Sequence, residues 1–131
     1  MSLDLSEDEW KQKLTPEQYG VLRRKETEAP GTGKLLHNDA AGNYTCAACG
    51  NVVFNSGTKF DSGSGWPSFY DVANTSAVRL VEDDSLGMIR VEVQCANCGG
   101  HLGHVFNDAL DQPTGMRFCI NSCALNFDKR D

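Results

Sequence analysis

Six cysteines divide into two closely spaced pairs and two further cysteines near the C-terminus. In each pair, two residues separate the cysteines and a glycine follows directly. Two such pairs supply the four soft ligands of a tetrahedral zinc site. The alternative is a redox dithiol, but that motif usually opens a helix in a βαβ unit, which this sequence does not predict. We therefore expect one structural zinc ion without an open coordination position, held by Cys46, Cys49, Cys95 and Cys98.

Cys119 lies in a short segment in which polar and apolar residues alternate. Phe118 and Ile120 point to one side of an extended chain. The other side carries Arg117, Cys119 and Asn121. Cys119 thus shares a face with a cation and an amide, whereas a buried structural cysteine more often lies among aliphatic residues. We interpret Cys119 as a thiol available for chemistry.

Two of the three histidines, His101 and His104, lie between the second cysteine pair and Cys119. Four sulfurs saturate a zinc ion, so these imidazoles are not needed as ligands. A lone histidine in such a run is often a solvated or capping side chain. The pairing with a free cysteine favours a Cys/His site in which imidazole transfers protons near neutral pH.

A third segment, residues 60–70, contains small residues that lead into Trp66 and Pro67. One interpretation is a loop that presents the Trp66 indole. The other is a core tryptophan beside a proline turn, and the segment alone does not separate the two.

Composition limits the class of protein. The 131 residues are enough for a hydrophobic core, and we expect a single domain over residues 1–131. A net charge of -6 and a pI of about 4.9 argue against nucleic acid or an anionic membrane as partner. No apolar run approaches the roughly 20 residues that span a bilayer, and the first residues predict no secretory signal. The paired cysteine spacing favours metal and free thiols over secreted disulfides, so we expect a cytoplasmic location.

Local patterns predict short helices followed by an all-β region. Capping boxes at Ser6–Glu9 and Thr15–Gln18 predict two helices within residues 6–25. An irregular wrap follows over residues 26–43, and short strands between glycine-rich turns make up a β core over residues 44–127. The helix residues expected to pack inward are Trp10, Leu14, Tyr19 and Leu22.

One strand is predicted with particular clarity. Its apolar residues alternate with polar ones, which predicts one buried face and delivers Cys95 to the second cysteine pair. A turn at residues 83–87 predicts a hairpin between this strand and residues 78–81. The apolar residues of the strand are Ile89, Val91, Val93 and Cys95.

Four motifs together resemble one known family. In chain order they are Cys-x-x-Cys-Gly, Phe-Asp-Ser-Gly-x-Gly-Trp-Pro-Ser-Phe, Cys-x-x-Cys-Gly-Gly-His-Leu-Gly-His-Val-Phe and Arg-Phe-Cys-Ile-Asn-Ser. Over about Thr15 to Phe127 the chain is similar to the methionine-R-sulfoxide reductases. The resemblance implies a mainly β fold of two antiparallel sheets, partly barrel-like, with short N-terminal helices and a four-cysteine zinc site.

The resemblance also implies roles for individual residues. Cys119 matches the nucleophile that attacks the sulfoxide sulfur and becomes a sulfenic acid. His104 and His101 match the acid/base and water-binding positions, and Asn121 matches a group that orders the site. Trp66 matches the residue that packs against the methyl group of the substrate in this family, where it helps one sulfur epimer to fit and the other to clash. The residues expected to bind substrate are Trp66, Arg117 and Phe106.

Ser64 departs from the family pattern. Many members carry a cysteine here that resolves the sulfenic acid as a disulfide, and serine cannot. Cys123 is the other free thiol, but an extended chain would place its Cα roughly 13 Å from that of Cys119, at about 3.3 Å per residue. A disulfide needs about 4.4–6.8 Å, which only a helical turn would allow. The role of Cys123 stays open, and we expect thioredoxin or a similar thiol to recycle Cys119.

The expected function is reduction of protein-bound or free methionine-R-sulfoxide by a monomer. Two other classes are a zinc-ribbon module that docks a protein or nucleic acid, and a zinc-containing chaperone or exchange-factor-like domain. The acidic charge and the combination of Cys119 with His104 disfavour the first. The second would need no free cysteine on a polar strand face.

Overall fold

The computed structural model describes residues 7–29, 31–83 and 90–129. The predicted Ser6 cap, Ile89 and most of the turn at residues 83–87 lie outside these ranges. Two α-helices precede the strands: α1 (Glu7–Lys13) and α2 (Pro16–Arg24). The strands are β1 (Gly42–Cys46), β2 (Val52–Asn55), β3 (Lys59–Phe60), β4 (Ser68–Phe69), β5 (Val78–Asp83), β6 (Arg90–Cys95), β7 (His101–Phe106), β8 (Arg117–Ile120) and β9 (Leu125–Lys129). Short 3-10 helices cover Ser56–Thr58 and Ser122–Ala124.

Helix α2 begins and ends where its sequence predicts. The Thr15 hydroxyl accepts from the Gln18 amide at 3.1 Å, and the Thr15 amide donates to the Gln18 side chain at 3.0 Å. Pro16 occupies the first turn, and Lys25 ends the helix in the left-handed conformation. All four helix residues that were predicted to pack inward are buried: Trp10, Leu14, Tyr19 and Leu22.

The strands form two antiparallel sheets, as predicted. One sheet has three strands in the order β2-β1-β9, and the other has six in the order β3-β4-β8-β7-β6-β5. Aromatic side chains fill the space between the sheets. Phe54 from the smaller sheet stacks on Phe69 from the larger one at 4.4 Å, and Tyr44 meets the same ring edge-on at 5.0 Å. Each such buried ring contributes about 1.5–3 kcal/mol to folding.

The hairpin of β5 and β6 is confirmed, but the prediction of a single buried face on β6 is wrong. The two strands pair antiparallel from Val78↔Cys95 to Asp83↔Arg90. Val93 and Cys95 are buried as predicted, yet Glu92, on the polar face, is also buried. Alternation of residue types could not reveal this, because Glu92 is covered by partners from distant parts of the chain. Among the residues that the structure describes, no helix is both long and apolar enough to span a membrane.

Candidate active site and metal centre

The two cysteine pairs form two turns of the same geometry. In each turn, the amide of the glycine donates to the carbonyl of the first cysteine at 2.8 Å. Both glycines, Gly50 and Gly99, have positive φ angles, of 81° and 76°, which side chains with a Cβ rarely adopt. The turns therefore aim all four sulfurs at one point.

The four sulfurs fit a tetrahedral metal ion. They lie within 4.8 Å of one another, with Cys46 and Cys98 at 3.7 Å and Cys49 and Cys95 at 3.5 Å. Metal–sulfur bonds of about 2.3 Å would place neighbouring sulfurs about 3.8 Å apart. Hydrogen bonds from the surrounding sulfurs raise the pKa of Cys46 far above its ordinary value, so a cation is needed for all four to be thiolates. Because Cys46 ends β1 and Cys95 ends β6, a bound metal would join the two sheets.

Cys119 and His104 lie in one row across the larger sheet. Cys119 on β8 pairs with Ser68 on β4 and with His104 on β7, and His104 pairs with Glu92 on β6. Residues paired in register point to the same side of a sheet, so these four side chains share a face. This face carries the polar groups, and the aromatic core lies on the other side.

A β-bulge explains how His101 and His104 meet. Residues three apart on a regular strand point to opposite faces, but the register between β6 and β7 shifts between Val93 and Gln94. The two imidazole rings are 5.4 Å apart and edge-on. Gly103, between them, allows the close approach of β8: an added Cβ would lie 2.1 Å from the Cys119 carbonyl oxygen.

The Cys119 sulfur lies among hydrogen-bond donors. Arg117 Nη1 donates to it at 2.8 Å, and the hydroxyls of Ser64 and Ser68 lie 3.6 and 3.7 Å away. Asp108 holds the Arg117 guanidinium through two bonds of 2.9 Å. Its carboxylate raises the pKa of Arg117 above the ordinary value, which keeps the cation beside the sulfur at any relevant pH. A cation in this position stabilises a thiolate.

A cavity of about 90 Å³ opens at Cys119. Its apolar walls are the Trp66 and Phe106 side chains, and its polar walls include His104 and Asn121. The lining residues are Thr27, Trp66, Arg90, Gly103, His104, Phe106, Cys119 and Asn121. The structure therefore brings together all the predicted substrate-binding and catalytic residues except His101, which is buried behind His104, and Arg117, which reaches the sulfur from the side.

Both histidines are held by carboxylates. His101 Nδ1 and Glu92 Oε2 are 2.9 Å apart, and His104 Nε2 and Asp83 Oδ2 are also 2.9 Å apart. Burial lowers the pKa of His101 below its ordinary value, even though Glu92 opposes this effect. His101 is therefore neutral near pH 7.

Glu28 contacts the site at three points. Its carbonyl accepts from Trp66 Nε1 at 3.0 Å, and its amide donates to Asn121 Oδ1 at 3.0 Å. Its carboxylate accepts from the Cys123 amide at 3.1 Å. Trp66 thus belongs to a loop that presents its indole to the cavity, and the alternative of a core tryptophan is wrong. Strand β8 ends at Ile120, Asn121 keeps an extended backbone, and Cys123 lies in the 3-10 helix that follows, so residues 119–123 are not extended throughout.

Sequence reasoning missed several acidic residues of the site. Asp108 follows the histidine run and could have been suspected, because a cation at Arg117 needs a partner. Glu92 was assigned to a solvent-facing side of its strand. No sequence pattern points to Glu28 as part of the site, because it lies 93 positions from Asn121 and contacts it with its main-chain amide.

Fold and site together define a class: a two-sheet β protein with a four-cysteine metal centre and a separate cysteine–histidine site. Comparisons with known proteins agree. Residues 14–129 match the SelR domain. The chain is 60% identical over 126 residues to "Peptide methionine sulfoxide reductase MsrB" of Leifsonia xyli, which covers 96% of this chain and 91% of that one. It is 57% identical to the protein of the same name from Methanosarcina mazei, over 98% and 91% of the two chains.

The chain therefore belongs to the SelR domain family, that of the MsrB peptide methionine sulfoxide reductases. A crystal structure of a Mis18 "Yippee-like" domain is similar in fold, with a TM-score of 0.55 at 19% identity. It covers 70% of this chain and 98% of that domain. This likeness concerns the fold alone.

Proposed function

We propose that the protein reduces methionine-R-sulfoxide, free or within oxidised proteins, with Cys119 as the nucleophile. The thiolate of Cys119 attacks the electrophilic sulfur, and the sulfoxide oxygen takes up a proton. The attack forms a bond between the two sulfurs. The protonated oxygen then moves from the methionine sulfur to the Cys119 sulfur as the sulfur–sulfur bond breaks, so methionine leaves and Cys119 becomes a sulfenic acid. The thiol and the sulfoxide together supply every atom of the two products, so this step needs no other reductant.

The contact between Arg117 and Cys119 carries this proposal. A guanidinium at 2.8 Å from a sulfur that opens on a cavity is the environment of a reactive thiolate, not of a structural cysteine. The charged pair with Asp108 holds the guanidinium in place, so it does not have to reorganise during the reaction.

The two kinds of wall in the cavity suit one sulfur epimer better than the other, and membership of the MsrB family supports the R epimer as that one. Trp66 and Phe106 provide an apolar surface for the methyl group. His104 and Asn121 provide polar groups for the oxygen. Exchanging oxygen and methyl on the chiral sulfur would press a polar oxygen against the indole and leave the polar groups unpaired, which costs binding energy.

His104 is proposed as the acid that protonates the departing oxygen, with His101 and Asn121 ordering the site. His104 lines the cavity beside Cys119, and Asp83 fixes its ring through Nε2. Imidazole suits this role because its charge changes near neutral pH.

Recycling is proposed to use an external dithiol such as thioredoxin. The first thiol of such a reductant would attack the Cys119 sulfenic acid and release water, and its second thiol would release Cys119 as the thiol. Ser64 lies 3.6 Å from the sulfur but cannot form a disulfide. Cys123 is poorly suited to the task, because burial raises its pKa to about 12.

The metal at the four cysteines is proposed to be zinc, with a structural role. An all-sulfur tetrahedral set is typical of structural zinc and leaves no position for substrate. All six cysteines are unpaired with one another, which suits a reducing compartment such as the cytoplasm. We propose that the chain acts as a single domain and a monomer.

An epimer assay tests the proposed function. Purified R and S methionine sulfoxide would each be supplied with thioredoxin, its reductase and NADPH. The native chain should consume the R epimer, and Cys119→Ser should consume neither. Cys123→Ser is the matched control and should keep most of the activity. Turnover by Cys119→Ser, or a preference for the S epimer, would show that the proposal is wrong.

A further inference from the structure

Glu92 is a buried carboxylate to which the proposed reaction assigns no role. Its side chain is 1% exposed, in the middle of β6, and the His101 side chain beside it is 3% exposed. Burial of a charge is unfavourable unless it is paired and hydrogen-bonded. The burial of Glu92 therefore indicates that its charge has a specific role.

Two partners hold the carboxylate, one from the neighbouring strand and one from the end of helix α2. Oε2 lies 2.9 Å from His101 Nδ1. Oε1 forms an ion pair with the ammonium of Lys25 at 3.1 Å but has no partner with hydrogen-bond geometry in the described part of the protein. Lys25 ends helix α2 with a φ of 59°, the one positive φ at a non-glycine residue among those that the structure describes. Lysine rarely adopts this conformation, and here it brings the ammonium to Glu92.

These contacts decide the protonation of both partners. Burial alone would raise the pKa of Glu92, but the contacts with His101, Gln94 and Lys25 outweigh it and hold the pKa below its ordinary value. Burial lowers the pKa of His101, with His104 and Lys25 adding to the effect and Glu92 opposing it. An ionised carboxylate only accepts hydrogen bonds, so a neutral His101 must carry its proton on Nδ1.

The other nitrogen of the ring is then an acceptor. His101 Nε2 is buried and has no hydrogen-bond partner within the described part of the protein. Buried polar atoms normally have a hydrogen-bond partner, so His101 Nε2 is suited to accept a hydrogen bond from a donor supplied by solvent or substrate. The ring lies edge-on to His104, which lines the cavity.

We propose that Glu92 and Lys25 are positioning residues that fix His101 as the Nδ1–H tautomer, so that its buried Nε2 is an acceptor in the ring that packs edge-on against His104. The inference rests on the proposed function for its effect on turnover, but the tautomer can be measured without any substrate. Glu92, Lys25 and His101 all lie outside the cavity lining, so their effect on turnover passes from His101 to His104, whose ring packs against it.

The substitution Glu92→Gln gives the sharpest test. Glutamine has one acceptor oxygen where glutamate has two, and the Lys25 ammonium competes for it. The amide NH2 would then face Nδ1 and drive the proton to Nε2. Removing the competitor in the double variant Glu92→Gln/Lys25→Met frees the amide oxygen to accept from Nδ1–H again. The single variant should therefore change the tautomer, and the double variant should restore it.

The measurement is nitrogen-15 NMR of histidine side chains in the metal-loaded protein at pH 7, together with steady-state kinetics. We expect the Nδ1–H form in the native chain and the Nε2–H form in Glu92→Gln. We expect kcat to fall in Glu92→Gln by roughly 10–100-fold, the range seen when a carboxylate that orients a metal-bound imidazole is replaced, with KM nearly unchanged. The double variant should recover part of kcat, and Lys25→Arg should match the native chain.

Other results would overturn the inference. An Nε2–H form in the native protein would do so directly, and so would Glu92→Gln with native tautomer and native kcat. If Glu92→Gln does not fold, Lys25→Met decides, since Lys25 is 61% exposed and its replacement leaves the core intact. In Lys25→Met the acidic limb of the pH–kcat profile should move to higher pH, because the pKa of Glu92 rises when its cation is lost. An acidic limb that does not move would contradict the inference. A native chain without sulfoxide reductase activity would reject the proposed function but leave the NMR result to stand.

Discussion

Replacing Ser64 by cysteine should give the protein an internal route for recycling. The Ser64 hydroxyl is 3.6 Å from the Cys119 sulfur, and a disulfide requires about 2.05 Å between the sulfurs. The loop can close this gap because Gly63 and Gly65, on either side of residue 64, have positive φ angles of 72° and 93° and few steric limits. After one turnover, the Cys119 sulfenic acid and the new thiol should form a disulfide and release water.

The size of the effect on stability follows from the loop that the disulfide closes. The two positions are 55 residues apart, for which the loss of chain entropy in the unfolded state gives about 4 kcal/mol. For a chain of this size that corresponds to a rise in Tm of at most about 15 °C. Strain in the loop would reduce it. The rise should be present only after treatment with substrate and should vanish on reduction.

Mass spectrometry and thermal unfolding check this prediction. With one equivalent of sulfoxide and no reductant, the native chain should gain one oxygen atom, and Ser64→Cys should lose two hydrogen atoms. Ser62→Cys is the matched control, because the Ser62 hydroxyl bonds to Ser64 and Ser68, whereas the Cys119 sulfur is contacted by Ser64, Ser68 and Arg117. If Ser64→Cys keeps a stable sulfenic acid, or if Ser62→Cys forms the disulfide equally well, the proposed geometry is wrong.

Three further measurements address the sulfur environment, the metal and pH. Arg117→Met should lower kcat/KM roughly 10–100-fold, since a hydrogen bond to a charged group contributes about 1.5–3 kcal/mol. Arg117→Lys should recover only part of the lost kcat/KM, because lysine cannot hold Asp108 through two parallel hydrogen bonds as the planar guanidinium does. Equal activity of the two variants would contradict this. Removal of the proposed zinc ion by a chelator should abolish cooperative unfolding and near-UV circular dichroism, because a metal at the four cysteines would join the two sheets. A Tm unchanged by chelation would refute a structural metal. The unfolding free energy should fall as pH drops below about 6.5, because the pKa of His101 is lower in the folded state and protonation of the ring therefore favours unfolding. It should fall again below about 4.5, because the pKa of Glu92 is also lower in the folded state and protonation of this carboxylate favours unfolding too. Urea titrations from pH 8 to about pH 3 measure this, and Glu92→Gln should make the second decline smaller without removing it, because the pKa of Asp108 is also lowered by Arg117.

The sequence predicts those parts of the molecule that depend on local spacing. The cysteine pairs, the helix that begins at Thr15 and the alternation around Cys119 are each encoded within a few residues, so periodicity and capping rules find them. Family resemblance adds the residues that line the cavity. Their roles stay proposals until they are measured.

The rest depends on contacts between distant segments. The meeting of His101 and His104 requires a bulge, which arises from the pairing of two strands and leaves no mark in either strand alone. Glu92 is polar in a pattern that predicts solvent exposure, and only the approach of Lys25 and His101 makes its burial tolerable. The charges around the site were therefore the least predictable part.

One measurement tests the central claim most directly: mass spectrometry of the native chain after a single turnover without reductant, with the oxygen located by a sulfenic-acid trap and peptide mapping. The account predicts one methionine formed per chain and one oxygen atom on Cys119, with Cys123 and the four metal-binding cysteines unmodified. Methionine formed with the oxygen on another cysteine, or on none, would contradict it.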